Sequence, residues 1–304
     1  DAVAPLAYLA ARTDRIKLGT GIMQISARTP SMTAMTALTM AALSNDRFLL
    51  GLGVSGPQVV EGLQGRPFEA PLTRLRETID IIRLAFEGEK LAYQGKYHTL
   101  PLPGGEGKAL RLSQPGNQAI PIYLATLGPR ALELTGELAD GWLGTSFTPT
   151  NADAHLDFIR RGAESHGRVL GDIDIQVGGT VAFEPDVDDV MGPLKAGMAF
   201  TLGAMGSAKT NFYNDAYKRG GWEASAKEVQ RLWVAGRRDE AIAKVPEEMV
   251  LQSNLVGDKE AIRERLSAYK TAGVSTLRVQ PAGKDLSARL ETLGGTLDLI
   301  RDLD

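Results

Sequence analysis

The sequence predicts an α/β fold of the barrel type, in which parallel strands alternate with helices. Strand-like and helix-like segments follow one another at intervals that suit βα units. The strand predicted at residues 48–54 is continuously apolar, as expected when helices cover both faces of a sheet. The length of 304 residues suits one α/β barrel with an insertion, although two average domains would also account for it.

Each predicted element follows from its hydrophobic periodicity and its flanking residues. The predicted strands are Ile16–Ile22, Arg47–Val54, Ile120–Ala125, Gly141–Ser146, Ile173–Phe183 and Thr276–Gln280. The main predicted helices are Pro30–Ser44, Pro71–Gly88, Gly128–Ala139, Asn151–Gly167, Lys259–Ala272 and Asp285–Asp304. A short helix over Ala4–Thr13 precedes the first strand. The order of these elements is that of a barrel.

Two segments depart from this alternation. Leu91–Leu100 consists of two short alternating runs around Gln94 and Gly95, which predicts a β-hairpin. Asp186–Gly257 carries several helical patterns without a clear strand between them, which indicates a helical insertion. The chain shows no repeat and no long linker, so we predict a single domain over residues 1–304 that contains the insertion at 186–257.

Composition excludes several classes of protein. With 43% hydrophobic residues the chain can bury a sizeable core, but it has no apolar run long enough to span a membrane. Its net charge of −3, with interspersed signs, disfavours nucleic-acid binding. The absence of cysteine excludes disulfides, thiolate nucleophiles and most structural zinc sites. We therefore expect a soluble, enzyme-like domain, and the absence of cysteine agrees with a cytoplasmic location.

The three histidines, His98, His155 and His166, have no neighbours at metal-ligand spacing. We predict structural or solvated roles for them and no metal site. The Gly178–Gly179 pair within a predicted strand indicates a bulge and not a phosphate loop.

The segment from Ile120 to Trp142 is the most informative about function. A strand ends at the turn Thr126-Leu127-Gly128-Pro129, and an amphipathic helix begins there. The first N–H groups of a helix and the positive end of its macrodipole suit an anion such as a phosphate. An ordinary barrel turn with nothing bound explains the same residues, and both interpretations stay open.

Glycine-rich loops also follow the first two predicted strands. Residues 19–30 and 51–61 each contain glycines that would let the backbone approach a flat ligand closely. The alternative is that these glycines only relieve crowding at the strand ends. Because the carboxyl ends of parallel strands face the same way, we expect these two loops and the turn at 126–130 to open on one face.

The chain resembles the luciferase-like superfamily, and within it the oxidoreductases that depend on the deazaflavin coenzyme F420. The motifs that carry the resemblance span essentially the whole chain in family order: residues 18–22, Pro30 with its helix, 46–57, 74–77, 120–125 and 139–142. The resemblance implies a (β/α)8 TIM-type barrel with a helical insertion before the last strand. It also implies that the first strand, the first helix and the second strand of the family precede Asp1, so that the N-terminal strands are missing.

The resemblance assigns roles to the strand-end loops. It implies a cis peptide bond, or at least a β-bulge, at Gly21-Ile22, with Met23 beside it under the central ring. It implies that Val54, Ser55 and Gly56 line the ring and the ribityl chain. The cofactor phosphate would be held by Thr126, Leu127, Gly128 and Pro129, with Thr145 and Ser146 nearby. Arg28 is expected to contact the anionic cofactor tail, or else to be solvated.

The predicted function is hydride transfer between coenzyme F420 and a small, fairly apolar substrate. Where the family's glucose-6-phosphate dehydrogenases place a sugar-phosphate-binding lysine, this chain has Thr180, and their acidic residue falls on Gly56; a sugar phosphate is therefore not expected. The catalytic acid and base are unassigned. Two alternatives stay open: an FMN-dependent luciferase-like monooxygenase, and a non-catalytic, cofactor-free barrel subunit. A homodimer is also left open.

Overall fold

A computed structural model describes residues 1–184, 186–206 and 211–303. These residues form two compact units. The first comprises Asp1–Thr126, Glu133–Leu143 and Gly162–Ile173. The second comprises Leu127–Leu132, Gly144–Arg161 and Asp174–Asp304, with Asp304 outside the described residues.

The first unit contains a parallel sheet and a separate hairpin. Its helices are α1 (Ala4–Ala10), α2 (Pro30–Ser44), α3 (Pro57–Val60) and α4 (Pro71–Phe86), together with most of α5 (Pro129–Leu138). Its strands are β1 (Leu18–Gly19), β2 (Met23–Gln24), β3 (Phe48–Gly53), β4 (Tyr93–Gln94), β5 (Thr99–Leu100), β6 (Ile122–Ala125) and β7 (Gly141–Leu143). Both β1 and β2 pair in parallel with β3, which pairs with β6, and β6 pairs with β7. The predicted parallel α/β arrangement is confirmed here.

Local sequence explains why α2 begins and ends where it does. Pro30 occupies the first turn, where a missing N–H costs nothing, and the Thr29 hydroxyl accepts a hydrogen bond from the Met32 N–H at 3.3 Å. The helix ends at Asn45, whose φ of 54° is left-handed. The core of this unit includes Leu50 and Leu124 from the sheet, both 0% exposed.

The prediction of one continuous strand over Ile16–Ile22 is wrong. Two short strands, β1 and β2, stand in its place, with the segment Thr20–Ile22 between them. The Thr20 hydroxyl donates to the Gly51 carbonyl and accepts from the Gly51 N–H, both at 2.9 Å. A side chain therefore replaces the regular backbone ladder at this point.

Other strand ends also differ from the predicted ones. The predicted strand Ile120–Ala125 begins only at Ile122, since Pro121 has no N–H to donate to a ladder. The strand predicted to end at Ser146 ends at Leu143, and Ser146 has a left-handed φ of 53°. The predicted hairpin is confirmed by the antiparallel pairing of β4 with β5.

The second unit contains a parallel sheet of three strands and a group of helices. Its strands are β8 (Asp174–Phe183), β9 (Leu255–Gly257) and β10 (Thr276–Pro281), and both β9 and β10 pair with β8. Its helices are α6 (Asp153–Glu164, whose last turn belongs to the first unit), α7 (Val187–Ala204), α8 (Phe212–Tyr217), α9 (Glu223–Val234), α10 (Arg238–Ala243), α11 (Glu247–Gln252), α12 (Lys259–Thr271) and α13 (Leu286–Arg301).

The predicted helical insertion corresponds to α7–α11, which pack around a core that includes Leu202, Val229 and Met249. Residues 207–210 of this segment lie outside the described residues. The prediction that no strand lies within 186–257 is wrong at its end, because Leu255–Gly257 forms β9. With only three residues, β9 is too short to show a period-2 pattern. The insertion thus lies between β8 and β9, and β10 follows later.

Candidate functional site

In the first unit, the predicted ring-side residues lie at one edge of the sheet. The parallel register places Met23 beside Leu52 and Gly53 beside Ala125, so β2, β3 and β6 end together. Gly21 and Ile22 directly precede β2, Val54 follows β3, and Thr126 follows β6. The expectation that these strand-end loops share one edge is confirmed for this unit.

Two glycines of β3 permit close packing at this edge. A Cβ atom on Gly51 would lie 1.9 Å from the Thr20 carbonyl oxygen, and one on Gly53 would lie 2.9 Å from Ile22 Cδ1. A side chain at either position would displace the Thr20–Ile22 segment. The Gly21–Ile22 peptide bond is cis, which confirms that prediction.

The next residues continue this surface with little side-chain bulk. Ser55 has a left-handed φ of 61°, a conformation that is uncommon outside glycine and is often found at functional sites. Gly56 directly precedes α3. Thr126 is held firmly, because its hydroxyl lies 2.7 Å from that of Thr135 and its carbonyl accepts a hydrogen bond from Trp142 Nε1 at 3.0 Å.

Arg28, the predicted contact for the cofactor tail, is partly exposed. Its guanidinium lies 3.5 Å from a carboxylate oxygen of Asp1 and 3.4 Å from the Thr36 hydroxyl. These contacts tie Arg28 to residues of the first unit, and its role toward a cofactor stays a prediction.

In the second unit, Leu127, Gly128 and Pro129 form the entry to α5. The Gly128 carbonyl accepts a hydrogen bond from the Leu132 N–H at 2.9 Å, within the first turn of the helix. A Cβ atom on Gly128 would meet nothing within 4 Å, so the space in front of this turn is open. The Leu127 carbonyl accepts a hydrogen bond from Arg219 Nη2 at 2.6 Å.

Arg219 lies in the segment Lys218–Trp222, which joins α8 to α9 through a kink at Gly220 and Gly221. Gly221 has a φ of 87° in this segment, which explains a glycine there. Nε of Arg219 is buried and has no hydrogen-bond partner among the described residues. Burial lowers the pKa of the guanidinium, and the charge of Asp215 opposes this shift.

Thr145 and Ser146 line a cleft of ≈ 340 Å³ in the second unit. None of the described residues that line it carries a charge. The lining comprises Gly144, Thr145, Ser146, Phe147, Val177, Gly178, Gly179, Thr180, Pro193, Leu194, Gly197, Met198, Thr201, Tyr217, Ser253, Asn254 and Gln280. The cleft offers hydroxyl and amide groups beside apolar side chains, and a concave site with a few placed polar groups is typical of small-molecule binding.

Tyr217 and Asn254 shape one side of this cleft. The Tyr217 hydroxyl lies 3.4 Å from Ser253 Oγ, and burial raises its pKa although the neighbouring Ser253 and Ser146 act to lower it. Despite this proximity, Ser146 Oγ is buried without a hydrogen bond of ordinary geometry. The Asn254 amide accepts from the Thr180 N–H at 2.9 Å and donates to the Val250 carbonyl at 2.8 Å.

Gly178 and Gly179 lie within the continuous strand β8 and do not form a phosphate loop, although no bulge interrupts the pairing with β10 either. A Cβ atom on Gly178 would lie 2.1 Å from the Arg278 carbonyl oxygen, and one on Gly179 would lie 2.5 Å from that of Ser253. These glycines therefore allow close contact between neighbouring backbones.

The histidines occupy three different environments. His98 Nδ1 lies 3.2 Å from the buried carboxylate of Glu77, and His166 is exposed. His155 is 1% exposed beside Phe147, and burial together with the Arg219 charge lowers its pKa to about 4.

Among the described residues, no group of three or more potential metal ligands comes together. Nor is any helix of the described chain both long and apolar enough to cross a membrane.

Sequence reasoning missed Arg219 and Asn254. Arg219 had one local signal, because Gly220 and Gly221 interrupt the helical pattern directly after it. Asn254 had no signal, since its partners lie on a distant strand and on the preceding helix.

The chain is similar to a known protein family and to named proteins. The family model described as luciferase-like monooxygenase matches residues 1–276. A Mycobacterium tuberculosis protein provisionally named as a coenzyme F420-dependent oxidoreductase is 39% identical over 301 residues, which cover 95% of this chain and 86% of that protein.

Two solved structures are similar to this one. The coenzyme F420-dependent tetrahydromethanopterin reductase of Methanopyrus kandleri superposes with a TM-score of 0.78 and 25% identity, over 97% of this chain and 86% of the reductase. An F420-dependent secondary alcohol dehydrogenase in complex with an F420–acetone adduct has a TM-score of 0.75 and 18% identity, over 99% of this chain and 84% of the dehydrogenase, and shows likeness of fold alone. The predicted TIM-type α/β class is confirmed by these likenesses.

Proposed function

Because the chain belongs to the luciferase-like monooxygenase family, we propose that it is an oxidoreductase that uses coenzyme F420 to reduce or oxidise a small, uncharged organic molecule. The relative from Mycobacterium tuberculosis and the solved reductase both carry F420 dependence in their names, and each covers almost the whole chain. These relatives support the cofactor, and the lining of the cleft supports the class of substrate.

The first unit fits the flat part of a deazaflavin. We assign the ring and ribityl side to Gly21, Ile22, Met23, Val54, Ser55 and Gly56. The support is the small volume of the side chains at this edge. Ile22 packs directly against the backbone of Gly53, and the residues that follow β3 include Ser55, with a small side chain, and Gly56, with none. A flat, backbone-rich surface lets a planar ring lie in close contact with the protein.

The phosphate side is assigned to Thr126, Leu127, Gly128 and Pro129, with Thr145 and Ser146. The open space at Gly128 and the buried, unpartnered Nε of Arg219 fit an anion at the start of α5. A helix start favours negative charge because its N–H groups and macrodipole point toward the ligand.

The absence of charge among the described residues of the cleft carries the proposed substrate class. Desolvating an anionic substrate without a paired cation would cost several kcal/mol, on the order of the penalty for burying any unpaired ion. Thr180 and Gln280 in the lining offer neutral hydrogen bonds instead. A small alcohol, ketone or related neutral compound therefore fits better than a sugar phosphate.

When bound, the deazaflavin supplies the carbon that gives or accepts the hydride. The work of this chain is to hold the ring, bind the phosphate and keep water from the reacting groups. The phenol of Tyr217 is protonated at neutral pH, and burial raises its pKa further. Its Oη can therefore donate a hydrogen bond to a substrate oxygen that faces the cleft.

Fluorescence and absorbance titrations with F420 and FMN test the cofactor, and turnover of paired substrates tests the cleft. We expect saturable F420 binding, weak FMN binding, and activity on neutral alcohols or carbonyl compounds but not on their phosphorylated counterparts. Tight FMN binding without F420 binding would favour a flavin monooxygenase, and binding of neither would favour a cofactor-free subunit. Activity confined to phosphorylated substrates would overturn the assignment of the cleft.

A further inference from the structure

We propose that Arg219 is the positive charge that recognises the phosphate-bearing side of the cofactor and fixes the loop that enters α5. This inference rests on the proposed function, because it deepens the assignment of the phosphate side. It concerns a residue of the helical insertion, which lies 92 residues along the chain from the loop that it contacts.

The first observation is the contact itself. Arg219 Nη2 donates to the Leu127 carbonyl at 2.6 Å, directly before Gly128 and the first turn of α5. A carbonyl that is held from one side fixes the peptide plane that follows it. Since the guanidinium has five N–H donors, this bond leaves most of its capacity unused.

The second observation is an unmet donor. Nε of Arg219 is buried and has no hydrogen-bond partner among the described residues. A buried donor without a partner costs about 1–3 kcal/mol, so it usually indicates a missing water, ion or ligand.

The third observation is an uncompensated charge. Within the described chain no carboxylate forms an ion pair with Arg219, and the nearby Asp215 pairs with Lys218 at 3.2 Å. His155 beside it cannot compensate a cation, because its ring is neutral or positive and never negative. An anion near Arg219 would meet a cation that no carboxylate of the described chain contacts directly, although the charge of Asp215 acts on it from further away.

The backbone around Arg219 is also specialised. The residue directly precedes Gly220 and Gly221, which leave the helical conformation at a kink between α8 and α9. Gly221 provides the left-handed φ that lets the chain continue into α9. The kink presents the guanidinium toward Leu127 instead of toward solvent along a regular helix.

The test compares two deazaflavins that differ in the phosphate. F420 carries the phosphate and the anionic tail, whereas its deazariboflavin precursor has the same ring and sugar chain without them. Both fluoresce, so binding to the purified full chain can be measured by titration without any turnover. We expect Arg219→Met to weaken F420 binding by about tenfold or more, as is typical for loss of charge-assisted hydrogen bonds, and to change binding of the precursor by less than about twofold.

Two further variants complete the design. Arg219→Lys keeps the charge but lacks the planar fork, so it should recover part of the F420 affinity. Arg265→Met is the matched control, because Arg265 is also half-buried and donates to a backbone carbonyl, that of Val256, at 2.7 Å. It should leave both affinities unchanged.

The outcomes separate this inference from the proposed function. If the unmodified protein binds neither deazaflavin, the proposed function fails. If it binds F420 and Arg219→Met binds both ligands as the unmodified protein does, the role of Arg219 is overturned. An equal loss for both ligands in Arg219→Met would also overturn it, since that pattern indicates a general disturbance of the site; circular dichroism and thermal unfolding of each variant show whether the fold is retained.

Discussion

Glu77 in the first unit and Arg219 in the second are both charged groups withdrawn from solvent, but their surroundings differ. The Glu77 carboxylate accepts hydrogen bonds from the N–H groups of Lys96, Tyr97 and His98 at 2.7, 2.9 and 2.8 Å. Arg219 has one described bond, to Leu127, and a buried Nε without a partner.

Their pKa shifts follow the same contrast. Burial acts to raise the pKa of Glu77, but the three backbone N–H groups and His98 outweigh it, so the pKa lies below its usual range. Burial lowers the pKa of Arg219, and the charge of Asp215 does not offset this shift. A buried charge whose hydrogen bonds are complete stabilises the fold, whereas one whose bonds are incomplete retains the capacity to bind a ligand.

The largest effect is expected from Glu77→Gln. The amide removes the charge and replaces one of the two accepting oxygens with an NH₂ group, which then faces at least one of the three N–H donors. The free energy of unfolding should therefore fall on the order of 3 kcal/mol. Urea unfolding of the full chain at pH 7 measures this change in the free energy of unfolding. Glu87→Gln, at an exposed position near the end of α4, is the control.

The pH dependence of this effect has a defined sign. Because the folded pKa of Glu77 is lowered, its stabilisation is complete above the usual glutamate pKa and is lost as the pH falls below it. The difference in the free energy of unfolding between Glu77→Gln and the unmodified chain should therefore become smaller at acidic pH. A Glu77→Gln variant as stable as Glu87→Gln at pH 7 would contradict a structural role for Glu77.

A second prediction concerns His155, which lies beside Arg219. Its pKa is lowered from 6.5 to about 4 in the folded protein, so the unfolded chain binds the proton first as the pH falls. Protonation linked to His155 alone should lower the free energy of unfolding by about 3 kcal/mol as the pH falls from 6.5 to 4. His155→Phe, which keeps a ring beside Phe147, should reduce the loss of unfolding free energy over that pH range.

The same experiment connects His155 to Arg219. The Arg219 charge is the second cause of the low pKa of His155, after burial. Arg219→Met should therefore raise the pKa of His155 and reduce the loss of unfolding free energy in acid. His166 is exposed, and His166→Phe should leave this loss unchanged. Identical acid unfolding profiles for the unmodified chain, His155→Phe and Arg219→Met would show that His155 does not titrate as described.

The smallest effect is expected at Gly128. A Cβ atom meets nothing within 4 Å, so Gly128→Ala should alter F420 affinity by less than about twofold. Gly128→Asp should weaken it by about tenfold, because the carboxylate would repel a phosphate at the start of α5. Fluorescence titration distinguishes the two variants. Equal affinities for Gly128→Asp and Gly128→Ala would place the phosphate elsewhere.

The sequence alone determined the class of fold and the loops at the strand ends. Alternating apolar patterns and turn residues are local signals, and they predicted the strand core at β3, the helix α2 and the start of α5 nearly to the residue. The family resemblance identified Gly21–Ile22 as a position of special backbone and assigned Ser55 and Gly128 to the cofactor site. Their roles toward a cofactor stay predictions.

Only the tertiary structure decided the features that depend on distant contacts. The break between β1 and β2 depends on the Thr20 hydroxyl reaching Gly51, 31 residues along the chain. β9 is defined by its pairing with β8. The cleft, whose described lining residues carry no charge, is assembled from six separate parts of the second unit. The bond between Arg219 and Leu127 leaves no periodic pattern in the sequence, because hydrophobic periodicity reports the burial of a segment and not which polar group it will meet.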